Sequence, residues 1–194
     1  MSYFKESMRT RSGNYYECDH DIEHGIIGLT TEASELLEAL VLSDPETDMD
    51  IVNVLEECGD LCWYLAILCF GYKWEFSDLD IFDDSEKPDG QETVISSCID
   101  FINVTAGKLL DGLKKCHYYG VELNEKDNKL LAQSIHSAIC TICQVCDTDI
   151  ESVKLTNIKK LKARYPGKWT KETATNRDLV NERSILESDT QASI

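Results

Sequence analysis

GLTTEASELLEAL (residues 28–40) and NVLEECGDLCWYLAILCFG (residues 53–71) decide how this chain folds. Around the first, Ile22, Ile26, Leu29, Ala33, Leu36 and Leu40 recur at helical spacing and form one apolar stripe, with Glu32 on its flank and Glu35 beyond. In the second, residues 61–70 are apolar on nearly every side, so this helix is expected to be largely buried and to need several neighbours. It opens on Glu57 and Asp60, on the face that continues to Tyr64, and acid leading into a buried helix needs a partner. Glu32 and Glu35 stand three residues apart, as do Glu57 and Asp60, so each pair shares one helix face and can share a cation. One such pair is common on a solvated helix; two pairs at the edge of apolar surface carry more weight. A turn at Ser43-Asp44-Pro45 with antiparallel packing would bring four carboxylates into one small volume. They cannot all stay ionised there without positive charge. Oxygen-only ligands suit magnesium, with manganese as a substitute. Gly28 costs about 1 kcal/mol inside a helix, which predicts a close approach by the second helix.

A second block, NIKKLKARYPGKW (residues 157–169), completes a pattern. With residues 24–71 it resembles the MazG-like all-α nucleoside triphosphate pyrophosphohydrolases, whose signature is EExxE, then ExxD, with an NIxKLxxRYPxxF element in phage and bacterial members. The blocks cover about a third of the chain, and Thr31 stands where the signature has its first Glu. The resemblance implies an all-α helical bundle and magnesium-dependent cleavage of (d)NTP to (d)NMP and pyrophosphate, for nucleotide-pool control or house-cleaning. It also implies metal-binding and catalytic roles for Glu32, Glu35, Glu57 and Asp60, and a homodimer or higher homo-oligomer. Glu38 or Glu56 are candidates to orient the attacking water. Lys154, Lys159, Lys160, Lys162, Arg164, Lys168 and Lys171 form a cationic block suited to triphosphate oxygens. Of these Lys160, Arg164 and Lys168 are assigned to phosphate, with Asn157 and Tyr165 nearer the sugar or base. Two alternatives stand beside this one: a base-specific dUTP, dCTP or alarmone hydrolase on the same scaffold, and a non-enzymatic helical binding module with a decayed metal site.

Over 194 residues the formal net charge is −17, which argues against nucleic-acid and anionic-membrane partners. Residues 1–14 lack the apolar segment of a secretory leader, and the run 61–70 is half a bilayer span. A cytoplasmic protein is expected, in the host cytoplasm if phage-encoded, with its nine cysteines reduced. Cys140, Cys143 and Cys146 have metal-ligand spacing, but no second CxxC or HxxxH accompanies them, so core packing is expected. His20 and His24 precede the first acidic pair, where a His can touch phosphate or base but is more often a polar neighbour; Tyr15 and Tyr16 would pack over a base or over the bundle. Residues 77–90 read as an acidic loop, followed by a helix ending at Gly120, one capped by Asn124, and one capped near Asp149 and stopped by Pro166. A last amphipathic helix is expected over residues 171–187, closing over the site. The domain assignment is a single all-α domain over 1–187 with a helical insertion at about 80–150, and a tail at 188–194.

Overall fold

The computed structural model describes residues 15–41, 49–81, 87–165, 170, 175 and 178–191. Six α-helices cross this range: α1 (His20–Val41), α2 (Ile51–Tyr72), α3 (Gln91–Tyr119), α4 (Glu125–Val145), α5 (Ile150–Arg164) and α6 (Leu179–Gln191), with a 3-10 turn at Phe76–Leu79. No strand occurs among the described residues, so the chain is all-α. The turn proposed at Ser43-Asp44-Pro45 lies outside them.

Local signals set the helix ends. Asp19 accepts from the Asp21 and Ile22 amides at 2.9 and 3.1 Å, Asp50 from Asn53 at 3.2 Å, Asn124 from Asp127 at 3.2 Å and Asp149 from Ser152 at 2.9 Å. Gly120 ends α3 at φ 65, where a Cβ would also stand 3.1 Å from the Tyr16 ring. The helix expected over 171–187 is seen as α6 from Leu179, continuing through Gln191 into the stretch expected to be a tail; of residues 171–178, Thr175 is helical, Asp178 is not, and the rest lie outside the described residues.

α1 packs on α2, α3 on α4, and α1 on α3; α2 also meets α4 and α5, and α5 carries α6. The core is the set of stripes that these contacts close over: Ile26, Leu29 and Leu36 of α1, Leu61, Leu65 and Leu68 of α2, Ile95, Ile99, Ile102 and Leu109 of α3, and Ile135, Ile139 and Ile142 of α4. Each such side chain contributes about 1.5–3 kcal/mol when fully buried. By length and composition α3 could cross a bilayer, but its buried stripe is spent inside this bundle.

Among the described residues one face of α2 is left without cover. Leu61, Cys62, Leu65, Leu68 and Cys69 are buried, but Trp63 is 37% and Phe70 74% exposed with Ala66 exposed between them, so the largely buried helix expected over 61–70 keeps one open face. Phe70 is the more exposed of the two rings, while the Trp63 ring stands edge-on to His24 of α1 at 6.0 Å.

All nine cysteines are free thiols. Cys58 and Cys62 of α2 face Cys140 and Cys143 of α4 and Cys146 at its C-cap, and burial pushes Cys62 up to about 12 and Cys140 up to about 11, keeping both as neutral thiols. Tyr15 stacks on His117 at 4.7 Å, and the His117 ring bridges the Tyr16 carbonyl at 2.7 Å and Glu23 at 3.1 Å. The two tyrosines therefore pack on the bundle.

Candidate metal centre and cleft

α1 and α2 run antiparallel at close range because glycines line their seam. A Cβ on Gly25 would lie 2.9 Å from the Leu68 amide nitrogen, and one on Gly28 would lie 1.9 Å from the Tyr64 ring. Tyr64 thus seats directly on the α1 backbone, the close approach that Gly28 predicts. Further along the seam, Asn103 of α3 donates to the Ala33 carbonyl at 2.8 Å and steadies the turn that carries Glu32 and Glu35.

This seam brings Glu32, Glu35 and Glu57 together, with one carboxylate oxygen of each within 4.8 Å of the others. Glu57 is 8% exposed, and its Oε2 is buried without a hydrogen-bond partner. Burial first, then the charges of Asp60 and Glu32, push Glu57 up to about 9. Burial, then Asp60 and Glu35, push Glu32 up to about 7, while a hydrogen bond to Glu57 works the other way. Without a cation this pair retains a shared proton at neutral pH. An unpartnered buried carboxylate oxygen facing two more carboxylates, with no sulfur or nitrogen in the set, fits a hard divalent cation.

Asp60 stands beside the three glutamates in a different setting. Lys160 Nζ donates to its Oδ2 at 2.5 Å and Asn157 Nδ2 to its Oδ1 at 2.6 Å, while Lys160 also reaches Glu56 Oε1 at 3.1 Å. α5 comes close enough for this because residue 59 is glycine: a Cβ there would lie 3.0 Å from Asn157 Cβ. Lys160 is fully buried. Burial opposes its charge, but Asp60 and Glu56 outweigh that and hold its pKa above the ordinary value.

The expected site residues therefore divide. Glu32, Glu35 and Glu57 converge as expected; Asp60 adjoins them with both oxygens engaged by α5. Lys160, expected to meet phosphate, is instead the buried counter-charge of Asp60 and Glu56, and Asn157, expected near sugar or base, is buried beneath Asp60. The physical reason is electrostatic: two part-buried carboxylates on α2 draw the nearest ammonium inward. Glu56 is taken up by Lys160, and Glu38 is exposed outside the cleft. Thr31 turns its hydroxyl back to the Gly28 carbonyl at 2.9 Å, on its own helix. Lys168 and Lys171 lie outside the described residues.

Arg164 and Tyr165 do line a cleft of about 1000 Å³ that opens from the glutamates. Its walls are the acidic cluster, an aromatic corner and a cationic side formed by Lys162, Arg164 and Arg183. In the corner, His24 meets Tyr64 edge-on at 5.6 Å and Trp63 meets Tyr64 at 4.8 Å. Sequence reasoning assigns no site role to Glu182, which lines the cleft and binds Arg164, although it stands in an NRD...ER...LE stretch after the RYP element, nor to Asn103, which sits in no motif. The His24 ring, for which both a polar neighbour and a phosphate or base contact stand as expectations, lines the cleft wall. No known protein family, curated protein or solved structure matches this chain.

Proposed function

We propose that the chain is a magnesium-dependent nucleoside triphosphate pyrophosphohydrolase, cleaving (d)NTP to (d)NMP and pyrophosphate in the cytoplasm, on a bundle of the MazG-like type. The observation that carries this reading is the orphan Oε2 of buried Glu57, set against Glu32 and Glu35 at the head of a cleft with a cationic wall. Magnesium bound by these three glutamates, with Asp60 beside them, would neutralise the cluster, polarise the α-phosphoryl group and acidify a water for in-line attack. The chain's own residues supply position. Lys160 and Asn157 hold Asp60 in one orientation, Lys162 and Arg164 attract the outer phosphates, and the Trp63–Tyr64 corner offers ring surface to a base.

A panel of ribo- and deoxynucleoside triphosphates, assayed for pyrophosphate release with magnesium, manganese or neither, tests the reading. Release that requires metal and vanishes in Glu57→Gln is expected, and the preferred base separates a general hydrolase from a dUTP, dCTP or alarmone enzyme. No release from any nucleotide would overturn the enzyme reading in favour of a binding module. A homodimer belongs to the same proposal, with the exposed Trp63–Ala66–Phe70 face of α2 available to a second copy.

A further inference from the structure

Among the described residues two guanidinium groups line the cleft, and carboxylates of this chain engage both. Arg164 of α5 closes on Glu182 of α6 as a bidentate pair, Nε to Oε1 at 3.1 Å and Nη2 to Oε2 at 2.5 Å. The two side chains are only 15% and 4% exposed. Arg183, the next residue, reaches the other way and donates to both oxygens of Asp50, the N-cap of α2, at 2.9 and 3.2 Å. α6 is thereby stitched from the C-terminal end of α5 to the N-terminal end of α2.

Among the described residues these two ion pairs are the charged ties between α6 and the rest of the bundle. α6 has 13 residues, a length at which an isolated helix is marginal in water. Leu186 is its buried apolar anchor, while Leu179 and Val180 are 60% and 83% exposed. Its seat therefore depends strongly on the Arg164–Glu182 pair. A carboxylate and a phosphate offer a guanidinium fork the same two-oxygen edge, and the phosphate of a triphosphate carries more charge.

We propose that α6 is a strap that keeps the anion site of the cleft self-satisfied: Glu182 occupies Arg164 where a substrate phosphate would sit, and triphosphate exchanges with it and loosens α6. The inference rests on the triphosphate reading of the cleft. Exchange leaves no charge stranded, because Arg164 passes from one anion to another while Glu182 moves into water. It makes the empty cleft a poor sink for weaker anions, since any entrant competes with a carboxylate already in place. Arg183 and Asp50 form the outer stitch, so weakening them favours the same release from the far end.

The test follows binding of magnesium tripolyphosphate by calorimetry in the wild type, Glu182→Gln and Asp50→Asn, with amide hydrogen exchange read across residues 179–191. Asparagine keeps the cap at position 50 while losing the charge that ties Arg183 to α2, leaving Arg183 its second partner, Glu187 of α6 itself, at 2.7 Å. Glu182→Gln is expected to bind about tenfold tighter, the return from removing one charge-assisted competitor. Asp50→Asn tightens binding in the same direction and by less, and tripolyphosphate speeds exchange in α6 of the wild type. Binding that is unchanged or weaker in both variants, with α6 exchange unaltered, would overturn the strap and leave Glu182 as a support for Arg164, with the triphosphate reading intact. Absence of binding in all three proteins would overturn that reading and the strap with it. Should Glu182→Gln fail to fold, the Asp50→Asn titration and the wild-type exchange still decide.

Discussion

Glu57 makes the metal-free protein sensitive to pH in a direction opposite to that of an ordinary salt-bridged carboxylate. Folding raises its pKa from 4.5 to about 9 and that of Glu32 from 4.5 to about 7, so the folded state holds protons that the unfolded chain has released. The stability that this pair contributes is complete below its unfolded value and is lost as pH rises through the folded values. Between pH 5 and 9 the Tm of metal-free protein is therefore expected to fall by roughly 5 °C or more, with magnesium or Glu57→Gln flattening the slope. Differential scanning fluorimetry over that range checks it; an equal slope in the variant would assign the loss to other groups. Lys160 poses the reverse case. It is fully buried between Asp60 and Glu56, so Lys160→Met leaves two part-buried carboxylates without their counter-charge. A loss of about 3 kcal/mol in urea unfolding is expected. A loss below about 1 kcal/mol would mean that α5 is held on α2 by packing instead.

At the scale of elements, the α1–α2 seam controls both stability and the spacing of the glutamates. Gly25→Ala would place a methyl 2.9 Å from the Leu68 backbone, and backbone cannot turn aside as a side chain can. Alanine in place of glycine stabilises an ordinary helix by about 1 kcal/mol, so the sign of the effect is diagnostic. A net loss of about 1–3 kcal/mol is expected, because the helices must part to admit the methyl. Parting them also draws Glu32 and Glu35 away from Glu57, so magnesium affinity measured by calorimetry should fall with stability. Stabilisation with unchanged affinity would show that the seam has room to spare.

The whole molecule carries a net charge of −17, and among its described residues one apolar face of α2 has no cover. Its α3–α4 pair packs across α1 and α2, so a single chain already supplies much of the cover that residues 61–70 require. What a partner would gain is the Trp63–Ala66–Phe70 face, and the proposed homodimer predicts a mass near two chains by light scattering at micromolar concentration. Phe70→Glu should return that mass to one chain without disturbing the fold, since Phe70 is already 74% exposed. A wild-type mass near one chain, unchanged by magnesium and nucleotide, would remove the dimer and leave α3 and α4 as the internal cover.

By itself the sequence determined the helices, their caps and the acidic pairs, because each follows from residues within a turn or two of one another. Gly120, Asn124 and Asp149 close helix ends through local hydrogen bonds, and Glu32 with Glu35 shares a face through helical geometry alone. Gly28 also announced a close neighbour, though not that Tyr64 would be it. Only the tertiary structure decided which carboxylate oxygen is buried without a partner, that Lys160 turns inward to Asp60, and that Glu182 claims Arg164. Exposed or buried, a lysine reads the same in a sequence. Its role depends on whether a carboxylate from a distant helix waits within hydrogen-bond reach in a place that water has left, and that is a property of packing.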